Sequence, residues 1–175
     1  MAIAALASEG IKSKPWWVSF VFPAGKFPET TGEGDNRVDV RSVVAAALQN
    51  PVHLPKPEHL PIPSALGVNC TDIEVVSTIL ADMERAVKEL SDPQESRPWL
   101  VIYPNAGDTY DPLTQTWVVR DSGGIWAEKL ADIVSEIKSH PERRGIWSGV
   151  VAGGCCRTGP EDIRLLNQLQ RPKRC

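Results

Sequence analysis

Apolar residues in this chain fall into two kinds of segment that alternate along it. Four short runs are rich in aromatic and β-branched side chains: 16–22 (Trp16-Trp17-Val18-Ser19-Phe20-Val21-Phe22), 65–69 (Ala65-Leu66-Gly67-Val68-Asn69), 99–103 (Trp99-Leu100-Val101-Ile102-Tyr103) and 146–152 (Ile146-Trp147-Ser148-Gly149-Val150-Val151-Ala152). None alternates cleanly with polar residues, which predicts strands buried on both faces, as in a parallel sheet. After each run, apolar residues recur at three- and four-residue spacing, the period of one helix face. The stripes are Val40, Val43, Val44, Ala47 and Leu48; Ile73, Val76, Leu80, Met83, Val87 and Leu90; Trp126, Leu130, Ile133, Val134 and Ile137; and Ile163, Leu166 and Leu169.

The ends of these helices carry their own signals. Asp72 and Glu74 load the start of the second with negative charge, which suits the positive end of the helix dipole. Pro160, followed by Glu161 and Asp162, opens the last, where no backbone donor is needed. Strand and helix therefore alternate four times, and each interval exceeds the dozen or so residues a right-handed crossover requires. The predicted class is α/β with parallel strands. Two connections stand out. Residues 51–63 hold five prolines and read as an extended surface connector. Residues 104–124 form a long loop on the carboxyl side of the third strand, where α/β enzymes keep their chemistry.

The composition is 42% hydrophobic and 23% charged over 175 residues. Such a chain can bury a core and fits one domain, residues 1–175. A net charge of -3 supplies no basic field for nucleic acid. No apolar run approaches the ~18 residues of a membrane span. Residues 2–8 lack the basic flank of a signal peptide and read as the tail of a helix. Four cysteines are too few for a disulfide scaffold, so a cytoplasmic setting is expected.

The placing of those cysteines carries the chemistry. Cys70 closes the second strand, and the adjacent pair Cys155 and Cys156 closes the fourth. In a parallel sheet both strand ends open on one face, so three thiols can converge. Three thiolates suit Zn²⁺ and leave a fourth tetrahedral position open, the pattern of a catalytic site. Buried thiols acting as small apolar groups, or a vicinal disulfide, remain alternatives on these residues alone. Gly67 precedes Cys70, and Gly153-Gly154 precedes the pair, giving the backbone freedom to turn close to a ligand. Cys175 ends the basic tail 171–175 and is not counted as a ligand. His53, His59 and His140 fall in loops or at a helix end without ligand spacing.

Three blocks together resemble the homocysteine S-methyltransferases: Gly67-Val68-Asn69-Cys70-Thr71, Tyr103-Pro104-Asn105-Ala106-Gly107, and Gly153-Gly154-Cys155-Cys156-Arg157-Thr158 with Pro160-Glu161-Asp162-Ile163. Trp17-Val18-Ser19-Phe20 is similar, less specifically, to that family's fifth strand. The resemblance implies the second half, strands five to eight, of a (β/α)8 TIM-type barrel. Strands one to four are then expected before residue 1, so a truncated gene product, a mis-predicted start or a fragment is the expectation for this chain. The resemblance also implies Zn²⁺ on Cys70, Cys155 and Cys156, with the homocysteine sulfur as fourth ligand. That thiolate would take the methyl of a sulfonium donor, S-methylmethionine or S-adenosylmethionine, giving methionine. Asn69 and Asn105 are candidates to bond substrate or orient the cysteines, and Tyr103 to line the pocket. Ser19 is a weaker candidate, and Arg157 is expected to hold a carboxylate or to pair with Glu161 or Asp162. A non-catalytic zinc-binding remnant of the family is the alternative, and the open sheet edges leave two expected outcomes, poor stability of the chain in isolation or self-association of two copies to complete a barrel.

Overall fold

The computed structural model describes residues 14–32, 36–49, 62–90, 97–111, 113–118 and 125–171. The elements run β1 (Trp17–Phe20), a single 3-10 turn (Pro23–Gly25), α1 (Val40–Leu48), β2 (Ala65–Asp72), α2 (Ile73–Leu90), β3 (Trp99–Asn105), β4 (Thr109–Asp111), β5 (Thr116–Val118), α3 (Ile125–Ser139), β6 (Val150–Ala152) and α4 (Pro160–Gln170). Strands β1, β2, β3 and β6 form one parallel sheet in that order. The α/β class with parallel strands is the one the hydrophobic pattern predicts.

Register sorts the strand residues onto two faces. Val18, Leu66, Leu100 and Val150 make one row, and Phe20, Val68, Ile102 and Ala152 the next. Both rows pack into a single core with Val44 of α1, Leu80 and Met83 of α2, Leu130 and Val134 of α3, and Leu166 of α4. The opposite face carries the rows Trp17, Ala65 and Trp99, and Ser19, Gly67, Val101 and Val151. There Trp17 is 57% exposed, Trp99 47% and Val151 51%. The expectation of strands buried on both faces holds for the centre of the sheet, where Leu66, Gly67 and Val68 of β2 and Leu100, Val101 and Ile102 of β3 are all buried, and is corrected at the margins of this second face, where Trp17, Trp99 and Val151 are exposed. Apolar residues line both faces, which is why the sequence reads as continuous runs.

Other details also differ from the sequence reading. Only Val150–Ala152 of the fourth run is strand. Ile146 and Trp147 are buried in the turns before it. That segment is held by Arg143, whose Nε and Nη2 donate to the buried Glu84 carboxylate at 2.8–3.0 Å, while the Trp147 indole N–H donates to it at 3.3 Å. The long loop after β3 contains an antiparallel hairpin, β4 with β5. His140 accepts the Glu142 N–H through Nδ1 at 3.4 Å in the turn after α3. The expected N-terminal helix tail, His53, His59, Cys175 and all of the proline-rich connector but residues 62 and 63 lie outside the described residues. No helix among the described residues is long and apolar enough to cross a membrane.

Candidate metal centre

Strand β2 carries an extra residue near its end. Asn69 pairs with Tyr103 of β3, but Asp72 pairs with Asn105, so three steps on β2 match two on β3. Cys70 sits in this bulge with φ of 48°. That left-handed conformation is rare for a residue with a Cβ, and an extra strand residue is where it can be accommodated. Simple alternation would point Cys70 to the core with Leu66 and Val68. Instead Thr71 takes the buried position, its Oγ1 accepting the Phe22 N–H at 3.0 Å and donating to the Asn69 carbonyl at 3.0 Å. The bulge frees the Cys70 thiol to turn toward the end of β6.

The cysteine pair reaches the same point by running on beside β3. Gly153 N–H donates to the Ile102 carbonyl at 2.9 Å, Cys155 N–H to Pro104 at 3.0 Å, and Ala106 N–H to the Cys156 carbonyl at 3.1 Å. Residues 155–158 then close a turn, with Thr158 N–H and Oγ1 both donating to the Cys155 carbonyl at 3.2 and 2.6 Å. A Cβ on Gly154 would stand 2.2 Å from Thr158 Oγ1, so this crossing accepts only glycine without a shift.

Three half-buried sulfurs meet there. Cys70 Sγ lies 2.7 Å from Cys155 Sγ and 3.9 Å from Cys156 Sγ, and the pair itself is 3.8 Å apart. Zinc–thiolate bonds of ~2.3 Å in a tetrahedral shell set sulfurs about 3.8 Å apart. Two of the three separations match that shell, and the closest pair would open by about 1 Å, within side-chain rotation. All three are free thiols, and among the described residues no other group of three metal-binding side chains comes so close. The donor set therefore fits a soft divalent ion.

Electrostatics within the cluster are uneven. Burial, then the hydrogen bond with Cys155, pushes the Cys70 thiol up to about 12, while the Asn69 amide pulls the other way. Burial also raises Cys155, but hydrogen bonds from Cys70 and Cys156 outweigh it and leave that thiol below its ordinary value. The two thiols are thus shifted in opposite directions, Cys70 toward its protonated form and Cys155 toward its thiolate.

The remaining sequence candidates take distinct places. Asn69 Nδ2 donates to Cys70 Sγ at 3.2 Å, a contact that orients the sulfur from outside the thiol cluster. Tyr103 is half-buried and pairs in register with Asn69 on the open face. Asn105 accepts the Gly107 N–H through Oδ1 at 3.1 Å, a short-range bond that shapes the loop after β3. Ser19 packs its Oγ against Gly67, where an added Cβ would come within 2.2 Å of it. Arg157 bonds neither expected partner: its Nε donates to Asp108 at 2.8 Å. Asp162 accepts its own helix's Gly159 N–H at 2.8 Å, and Glu161 pairs with Arg164. Short-range helix-end bonding wins for those two acids. Thr71, Asp108 and Thr158 carry no sequence signal for their roles, because each acts through a contact set by the bulge or the loop crossing.

The family model for homocysteine S-methyltransferase matches residues 1–169. The chain belongs to the homocysteine S-methyltransferase family. Its relatives in the family include homocysteine S-methyltransferase YbgG of Bacillus subtilis, 32% identical over 61% of this chain and 27% of that protein. Selenocysteine Se-methyltransferase of Brassica oleracea is 28% identical over 95% of this chain and 38% of its own length. A shorter relative, putative uncharacterized protein YMR321C of Saccharomyces cerevisiae, is 30% identical over 59% of this chain and 82% of its own length. The chain thus spans less than two-fifths of the first two relatives. No solved structure matches it.

Proposed function

We propose that this chain carries the zinc-binding part of a homocysteine S-methyltransferase, with Cys70, Cys155 and Cys156 as the metal ligands. The observation that carries this reading is the convergence of three thiols at the carboxyl ends of β2 and β6, their sulfurs within 3.9 Å of one another. Bound there, Zn²⁺ would lower the pKa of an incoming thiol and present it as a thiolate nucleophile. The chain's own residues do the positioning. The bulge at Cys70 aims one ligand, the turn at 155–158 fixes the pair, and Asn69 orients the Cys70 sulfur. Homocysteine is the acceptor and a sulfonium compound, S-methylmethionine or S-adenosylmethionine, the donor. The sulfur–methyl bond of the donor breaks as the new one forms, the acceptor's thiol proton goes to solvent, and the donor leaves as a neutral thioether. A neutral leaving group asks little of acid–base catalysis, so alignment is the main task.

In this reading residues 1–175 form a single unit, strands five to eight of a (β/α)8 barrel, with the open sheet face as interior wall. Parallel sheets are ordinarily covered on both faces, and the exposure of Trp17, Trp99 and Val151 on that face supports that assignment. Self-association is one closure that the β1 and β6 edges allow. A cytoplasmic setting belongs to the same reading, because thiolate ligands last best in a reducing compartment. The open face also favours a second reading, a zinc-binding member of the family without turnover, because one pocket wall is absent among the described residues. The assay is methionine formation by the zinc-loaded protein from homocysteine with S-methylmethionine, with S-adenosylmethionine and selenocysteine as separate arms. Product that disappears on chelation supports the enzyme; bound zinc with no product in any arm supports the second reading.

A further inference from the structure

The turn that presents the cysteine pair contains a second left-handed residue. Cys155, Cys156, Arg157 and Thr158 form four successive positions closed by the Thr158 N–H to Cys155 carbonyl bond, and the third, Arg157, has φ of 66°. Glycine or asparagine is the residue such a position favours. An arginine there is strained by about 1 kcal/mol, and its side chain has a partner across the turn. Its Nε donates to Asp108 Oδ2 at 2.8 Å; the Asp108 side chain is 8% exposed and the Arg157 side chain 46%. Asp108 belongs to the loop after β3, and Arg157 directly follows a member of the thiol cluster. The same loop donates the Ala106 N–H to the Cys156 carbonyl at 3.1 Å. Two loops from different strands are therefore fastened by a backbone bond at Cys156 and a charged side-chain bond at the next residue, Arg157.

From this geometry we infer that Arg157 and Asp108 are a positioning pair for the metal centre, holding the Cys156 turn in the strained shape that keeps its sulfur within reach of the other two. This rests on the zinc reading above and extends it to residues outside the ligand set. Position, rather than charge, is the assigned role, and the two make opposite predictions for Asp108→Asn. Were charge the role, a guanidinium relieved of its carboxylate would favour the thiolate forms and ease the loss of their protons to the metal. Loss of the clamp weakens binding instead.

The experiment is zinc affinity by competition with a chelator of known strength, on wild type, Arg157→Asn, Asp108→Asn and the double variant, with cobalt substitution to count thiolate ligands by absorption. Asparagine tolerates the left-handed backbone, so Arg157→Asn removes the guanidinium without adding strain. Each single variant should bind zinc about tenfold more weakly, with the double variant no weaker than either and Arg157→Lys recovering part of the loss. The cobalt–thiolate band should fall as Cys156 drifts from the site. Wild-type affinity in both single variants, or tighter binding in Asp108→Asn, would overturn the positioning pair while leaving the zinc site standing. Absence of zinc binding in the wild type would remove the site itself, and this inference with it.

Discussion

Cys70 Sγ stands 2.7 Å from Cys155 Sγ, although 85 positions of chain separate the two residues. Two backbone features produce that contact. The β2 bulge turns Cys70 out of the core-facing row, and the continuation of β6 beside β3 carries Cys155 up to the same level. Regular strands would have left one sulfur in the hydrophobic core and the others at the rim.

If these three sulfurs are the ligands, removing any one should release the ion. Cys156→Ser and Cys70→Ser should each lose most of the zinc measured by elemental analysis of the purified protein. Cys175→Ser should retain all of it. A Cys156→Ser protein with wild-type zinc content would eliminate the assignment.

The raised Cys70 value gives the pH dependence a sign. At neutral pH the metal-free thiol is protonated, since its pKa is about 12. An entering cation must displace that proton, so affinity should fall as pH drops and climb as it rises, by roughly a decade per unit for each proton released. Proton release on zinc addition, followed with an indicator in weak buffer, checks this directly. For folding the sign is reversed. A raised thiol pKa stabilises the metal-free protein below the ordinary value of 9.0, and that contribution is lost as pH rises toward 12, because the folded state then holds a proton the unfolded chain has released. The lowered Cys155 works oppositely, its contribution being present above the ordinary value and lost as pH falls through the lowered one. An apo protein whose zinc affinity is flat between pH 6 and 8 would contradict the displacement of thiol protons.

Two glycines are required by contact rather than by backbone angle. Gly67→Ala would place a methyl 2.2 Å from Ser19 Oγ and 2.8 Å from the Val101 carbonyl, and Gly154→Ala one 2.2 Å from Thr158 Oγ1. Each should destabilise by about 1–3 kcal/mol in urea titration. They should differ in one respect: Gly154→Ala should also weaken zinc binding, because the displaced Thr158 holds the cysteine turn. Adding Ser19→Ala to Gly67→Ala should recover only part of the loss, since the Val101 carbonyl cannot move aside.

The Glu84–Arg143 pair belongs to stability alone. The Glu84 side chain is 8% exposed. Arg143→Met would strand its carboxylate and should cost about 3 kcal/mol. The urea midpoint should fall while zinc stoichiometry stays at the wild-type value. A change in zinc content with an unchanged midpoint would reverse that assignment.

Much of the architecture is legible in residue order. The spacing of Val76, Leu80, Met83 and Val87 marks α2, and the aromatic and β-branched run within Trp99–Asn105 marks β3, because period and length follow from local geometry. The cysteine-bearing blocks point to the family, and parallel strands sharing a carboxyl end explain why those blocks can meet. Local pattern is less informative at Ile146 and Trp147. Both read as strand but fill the core from a turn, their burial being set by Arg143 with Glu84 of another element.

The four strands of the parallel sheet and the four helices in outline, the α/β class, and the identity of the three thiols that could be gathered are contained in the order of residues. How the thiols meet is not. The one-residue bulge that redirects Cys70, the Asp108 partner of Arg157, and the open face bearing Trp17, Trp99 and Val151 emerge only when the chain is folded. One cause underlies all three. Hydrophobic period reports what a single segment prefers, whereas register slips, charge pairing between loops and the covering of a sheet face are settled between segments distant in the chain.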